Sequence, residues 1–219
     1  LLALPGLSFS LYYLHLIDPP AWYFQFRSLP ASELCLIFIA LPAGILASWL
    51  PKILRTAPAL MLIIVVTVPF IKPIFGSIKD DDFKEKWQGK VCQQSTPSTC
   101  GAASSATIHS YFGTPASEQE IARDAYSYTG GTEVWYLARA LRSRGYHTSF
   151  HNHAQLDEHS QLPAIVGVKM GLMGHFIAIL SYCNGQLSVA DPLRAEQTMT
   201  IEQFHQKYHH TGFIMTVSP

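Results

Sequence analysis

Four side chains of this sequence could together break an acyl bond. Cys100 opens the run Cys100-Gly101-Ala102-Ala103, six residues after Gln94. Gly174-His175-Phe176 and Ala190-Asp191-Pro192 follow downstream. A cysteine can attack a carbonyl carbon, and a histidine can move the proton. An aspartate can orient the histidine, and a glutamine amide can donate to the developing oxyanion. Each residue also has a plainer role. A cysteine before alanines is commonly a small buried side chain, and a histidine at the start of a strand is commonly structural. An aspartate before proline suits a turn, and Gln93 competes with Gln94 for the donor's place. The chemical reading rests on the set.

The elements needed to position this set are legible. Ser98 and Thr99 are N-cap candidates for a helix that opens at Cys100 and ends at Gly113. Its positive N-terminal end would face the thiolate, and the small residues after Cys100 would let amides and substrate approach closely. Ser117-Glu118-Gln119-Glu120 is a capping box for a second helix. Val134, Leu137, Ala138 and Leu141 form one stripe of a third, which Gly145 stops. Strand signals follow. Ala164 to Val168 is a short apolar run, and His175 to Tyr182 and Gln186 to Ala190 flank the hairpin signal Asn184-Gly185. His175 and Asp191 fall at the end of that hairpin away from the turn, and bringing them level requires a bulge or stagger. Thr200 to Gln203 is a second capping box, starting a helix to about Tyr208 before a strand over Phe213 to Val217. Helices followed by an antiparallel sheet give an α+β domain.

Gln94, Cys100 to Ala103, Tyr111-Phe112-Gly113, Gly174-His175-Phe176 and Ala190-Asp191-Pro192 together resemble the bacteriocin-processing, double-glycine-leader cysteine peptidases. The resemblance covers roughly Val91 to Val217, including the last helix and strand. It implies a papain-like fold with Cys100 as nucleophile, His175 as general base and acid, Asp191 as orienting residue and Gln94 as oxyanion donor. The sequence departs from the family at Thr99, where an acidic residue is usual. It departs again at Arg194-Ala195, where a glycine commonly follows the Asp-Pro pair. Most members belong to peptide exporters with a nucleotide-binding domain, but no Gly-rich phosphate loop with a lysine occurs here. A separate transporter is thus an expected partner.

The first third of the chain has another character. Leu1 to Gly76 carries as charged residues only Asp18, Arg27, Glu33, Lys52, Arg55 and Lys72. Leu1–Ile17, Leu34–Leu50 and Ala57–Phe75 are apolar segments near the length a bilayer requires, about 20 residues. Pro69 and Pro73 are expected to kink or end the third segment. The chain begins at Leu1 and not Met, so three crossings are a lower bound. Expected boundaries are a transmembrane region over 1–76, a juxtamembrane linker over 77–90 and the peptidase domain over 91–219. Lys79, Lys84, Lys86, Lys90 and Arg27 outweigh Lys52 and Arg55 in the count that sets orientation, which places the domain on the cytoplasmic side of a bacterial inner membrane.

The remaining composition excludes some classes. Fifteen basic and fifteen acidic residues cancel, giving no electrostatic case for nucleic acid. His147, His151, His153 and His159, and then His205, His209 and His210, cluster without a recognisable ligand pattern. We expect solvated polar loops there, with neither metal nor cofactor. Cys35 reads as a small hydrophobe and Cys92 and Cys183 as buried free thiols, although they could pair in an oxidising compartment. The expected activity is a membrane-anchored cysteine peptidase acting on a peptide or leader peptide through a thioester. The alternatives are an acyl transferase with the same residues and a catalytically silent peptide-binding or maturation module.

Overall fold

The computed structural model describes residues 3–13, 16–152 and 154–219. The chain divides into two compact units, Leu1–Phe75 and Gly76–Pro219.

In the first unit, α1 (Leu4–Tyr13), α2 (Ala21–Arg27), α3 (Ala40–Trp49) and α4 (Ala57–Phe75) carry the apolar segments. The expected single helix over Leu34–Leu50 is a 3-10 stretch, Ser32–Ile39, that runs into α3. The expected stop at Pro69 or Pro73 does not occur, since α4 continues through both as one helix of 19 residues. Among the described residues Ser32–Trp49 is long and apolar enough to cross a membrane. A small core of Phe9, Leu36 and Ile39 holds the unit. Leu34, Ile37, Ile45, Leu60, Ile63, Ile64 and Ile74 remain exposed. Arg27 is fully buried, with its guanidinium 3.8 Å from the centre of the Phe9 ring.

The second unit is an α+β domain. The helices α5 (Cys100–Tyr111), α6 (Glu118–Asp124) and α7 (Val134–Arg142) come first. The strands β3 (His147–His151), β4 (Ala164–Met170), β5 (Met173–Cys183), β6 (Gln186–Asp191), β7 (Ala195–Met199) and β8 (His209–Ser218) follow, with α8 (Ile201–Lys207) before the last. Among the described residues these strands form one antiparallel sheet in the order β3-β8-β4-β5-β6-β7. Both expected capping boxes form, at Ser117 and at Thr200. Asn184 and Gly185 adopt φ of 50° and 76°, the conformation a two-residue hairpin turn requires. One face of the sheet buries Val166, Val168, Ile177, Ile179, Leu187 and Val189 against Phe204 and Tyr208.

Two strands that the sequence reading placed in a linker or at its edge form a small ribbon. They are β1 (Lys86–Gln88) and β2 (Val91–Gln93), paired antiparallel. The histidine-rich stretch expected as a loop contains β3, in which Thr148 and Phe150 point inward while His147, Ser149 and His151 are exposed. Strict alternation of that kind is a strand signal, masked here because the inward residues are few. His205 lies on α8, and His209 and His210 lie on β8. His153 lies outside the described residues. Cys183, expected to be buried, is exposed at the end of β5, while Cys92 is buried, and all the cysteines are free.

The turn from β6 to β7 holds Ala195 at φ 148°, in a region that favours glycine. It lies in the Arg194-Ala195 pair, where the sequence departs from the glycine common in the resembling family. Ala195→Gly should therefore relieve strain and raise the unfolding free energy by about 1 kcal/mol, as measured by urea denaturation; an unchanged or lower value would show that the turn is not strained.

Candidate active site

The α5 helix begins at Cys100, as the sequence suggests, but its capping differs from expectation. Thr99 is the N-cap residue, yet its hydroxyl does not cap the helix. Thr99 Oγ1 instead accepts from the Thr96 N–H and donates to the Thr96 carbonyl, both at 3.0 Å, closing a tight loop before the cysteine. The N–H groups of the first turn are thus left without a side-chain cap from Thr99. Cys100 is 8 % exposed, enough for an attacking atom at the surface of a packed domain.

The small residues after Cys100 serve packing. Ala102 and Ala103 are wholly buried. A Cβ on Gly101 would stand 3.2 Å from Leu137 of α7 and 3.5 Å from Phe176 of β5. The helix is thus seated tightly between α7 and the sheet. Ser104 then donates to the Phe176 carbonyl at 3.1 Å, 72 residues away and next to His175. That bond fixes the helix of Cys100 against the strand of His175. Nothing in the sequence distinguishes Ser104 from Ser105, whose hydroxyl turns back onto the Gly101 carbonyl.

His175 and Asp191 are neighbours. The bulge that the sequence requires lies between Ile179 and Ser181, and it sets Ala178 opposite Ala190. His175 Nε2 then stands 3.0 Å from Asp191 Oδ1. The Cys100 thiol lies within electrostatic reach of the His175 ring. With Nε2 engaged by Asp191, Nδ1 is the nitrogen left for Cys100. Burial disfavours the charged ring, but the hydrogen bond to Asp191 and the interactions with Cys100 and the Asp191 charge prevail, lifting His175 from its ordinary 6.5 to about 9. Burial likewise disfavours the Asp191 carboxylate. Its bonds from His175 and the Leu193 N–H outweigh that and hold it below the usual carboxylate range.

Gln94 lines a cleft of about 350 Å³ together with His175, Gly174, Met170, Met173 and Leu193. Gln93, its competitor, belongs to β2 and lies opposite Lys86 in the ribbon. The Gln94 side-chain nitrogen donates one hydrogen to the Thr96 carbonyl at 2.7 Å, which leaves its second N–H. The Gln94 backbone N–H donates to the Pro192 carbonyl at 3.1 Å, tying this loop to the turn after Asp191.

The loop has a second anchor that sequence reasoning missed. Glu118, read only as a member of a capping box, is fully buried. Its Oε1 accepts from the Ser95 N–H at 2.8 Å, and its Oε2 accepts from the Ser95 hydroxyl. An acidic residue beside a capping serine is ordinary in sequence, so only the fold reveals this clasp.

A family model, the Peptidase C39 family, matches residues 88–219. No curated protein matches the chain. Among solved structures, the peptidase domain of Streptococcus ComA, a bifunctional ABC transporter involved in a quorum-sensing pathway, is similar at 22 % identity with a TM-score of 0.52. The match covers 60 % of this chain and 99 % of that one. A double-glycine-motif protease from an AMS/PCAT transporter, solved in complex with the leader peptide, is similar at 18 % identity with a TM-score of 0.51. Here the match covers 62 % of this chain and 92 % of the other. At such identities the likeness establishes the shared papain-like α+β fold. The family model spans more than half of the chain, so the chain belongs to the Peptidase C39 family and is a cysteine peptidase.

Proposed function

We propose that Cys100, His175, Asp191 and Gln94 cut a peptide bond through a thioester acyl-enzyme, and that the substrate is the leader of an exported peptide. The observation that carries this reading is the 3.0 Å hydrogen bond between His175 Nε2 and the buried Asp191, with Cys100 beside the same histidine. The raised affinity of His175 for its proton favours an imidazolium beside Cys100 at neutral pH. The Cys100 sulfur attacks the carbonyl carbon, and the carbonyl electron pair moves onto oxygen. The Cys100 N–H and the second N–H of Gln94 are the donors for that oxyanion. Collapse expels the amine, which takes the proton of His175, and leaves a thioester. Water then attacks with His175 as base, and a second collapse releases the acid and restores the thiolate. One water is consumed for each bond broken.

The substrate class rests on family membership and on the cleft. The two similar peptidase domains belong to ABC transporters, and one was solved with a leader peptide. The cleft beside His175 is walled by Met170, Met173 and Leu193, with no side chain at Gly174. Such a wall suits an extended peptide with apolar anchors and small residues at the cut. A separate transporter is the proposed partner.

The reading includes membrane anchoring through the first unit. Ser32–Trp49 spans roughly 30 Å from the rise of its 3-10 and α portions, close to the bilayer's apolar thickness. The 19 residues of α4 give about 28 Å. Three crossings with the peptidase on the cytoplasmic side remain our assignment, on the balance of Lys and Arg.

Three outcomes test this function. Cys100→Ala should abolish cleavage of a double-glycine leader peptide, a loss of at least about a thousandfold, while leaving the unfolding midpoint nearly unchanged; retained cleavage would reject the nucleophile. Stability should also depend on pH through the His175–Asp191 pair. His175 binds its proton more tightly when folded, so its contribution is complete below pH 6.5 and drains away as pH rises through about 9. Asp191 is more acidic when folded, so its contribution is present above pH 3.8 and is lost as pH falls through its lowered value. Denaturant titrations from pH 6 to 10 should show the alkaline decline in the wild type and a flatter profile in His175→Gln, and equal slopes would reject the pairing. Finally, alkaline carbonate extraction of cell membranes should leave the chain in the pellet; recovery in the supernatant would exclude anchoring.

A further inference from the structure

The cleavage scheme uses Asp191 but does not explain what holds it. Asp191 has no exposed surface. A carboxylate so placed must receive hydrogen bonds on both oxygens or stand at great energetic disadvantage. Oδ1 accepts from His175 Nε2 and from the Leu193 N–H, both at 3.0 Å. Oδ2 faces the other way and accepts from the Tyr208 hydroxyl at 3.0 Å. The Arg194 Nε lies 3.7 Å from the same oxygen, beyond good hydrogen-bond length, on a half-exposed side chain. Tyr208 is therefore the buried donor on that side.

Tyr208 is itself held fast. It is the C-cap residue of α8, and its N–H donates to the Phe204 carbonyl at 2.8 Å. Its ring lies against Phe204 with centroids 5.3 Å apart, inside the core under the sheet. The α8 helix is fixed in turn by the capping box at Thr200. Burial and the neighbouring Asp191 charge both raise the Tyr208 pKa above its ordinary 10, so the phenol stays protonated and can only donate to the carboxylate.

We propose that Tyr208 is a positioning residue, whose hydroxyl pins the Asp191 carboxylate so that its other oxygen stays aimed at His175. This rests on the reading of Cys100, His175 and Asp191 as a catalytic set. Without the phenol, Oδ2 loses its buried donor, and the carboxylate gains by turning toward Arg194 and solvent. The bond to His175 then loosens, and the imidazolium loses support. The groups facing this carboxylate are His175 from β5, Arg194 from the turn after β6 and Tyr208 from the end of α8, and the Lys207 ammonium of α8 lies 5.6 Å from the centre of the Tyr208 ring.

The test needs no knowledge of the natural substrate. Alkylation of Cys100 by iodoacetamide is followed across pH, with the labelled peptide quantified by mass spectrometry in the full chain. In the wild type the rate should show an upper inflection governed by His175, absent in His175→Gln. Tyr208→Phe retains the ring and its packing and should move that inflection to lower pH by more than half a unit. In an Asp191→Asn background the same substitution should produce no further shift. If wild type and His175→Gln give the same profile, the catalytic reading itself fails. If they differ while Tyr208→Phe matches the wild type, or if its shift persists unchanged in Asp191→Asn, the positioning role is overturned and the catalytic reading stands.

Discussion

A buried carboxylate governs this domain. Asp191 sits at the end of β6 with no exposed surface, and each of its oxygens must find a donor inside the protein. Satisfying one oxygen commits the turn after Pro192 and the histidine of β5. Satisfying the other commits the end of α8. Three elements far apart in the chain are thereby brought to one point, and the same carboxylate makes the imidazolium tenable inside the domain. The polar network and the chemistry are one arrangement.

The second constraint is the fit of α5. A helix that presents a candidate nucleophile must be rigid, and rigidity here comes from close approach. Gly101 leaves room for Leu137 and Phe176, and Ala102 and Ala103 are fully enclosed. Larger residues would push the helix from the sheet, displacing Cys100 from His175. Ser104 sets the sliding coordinate by bonding the Phe176 carbonyl. On the other flank Thr107 Oγ1 accepts from the Cys92 N–H at 3.0 Å, which ties the helix to the strand leading into Gln94. The Gln94 loop is then clasped by Glu118 from α6. Each candidate catalytic group is thus held by a neighbour from a different element.

The two units follow different rules. The peptidase domain buries its apolar residues in a closed core. The first unit has a core of a few side chains and leaves many large apolar residues exposed. An aqueous domain would have to cover such faces. The contrast gives the membrane reading its physical basis.

Local patterns of the sequence determined the helix starts, both capping boxes, the Asn184-Gly185 hairpin and the four candidate residues, because caps, turns and nucleophile environments depend on neighbours a few positions away. The need for a bulge between His175 and Asp191 was also legible, from counting residues to the turn. Only the tertiary structure decided where that bulge falls, at Leu180, since strand register is set by packing across the sheet. It also chose Gln94 over Gln93 for the cleft and formed β3 from a histidine-rich stretch. The roles of Ser104, Glu118 and Tyr208 were invisible for the same reason. A serine, a capping glutamate and a helix-end tyrosine look ordinary in sequence, and their meaning comes from partners 72, 23 and 17 residues away.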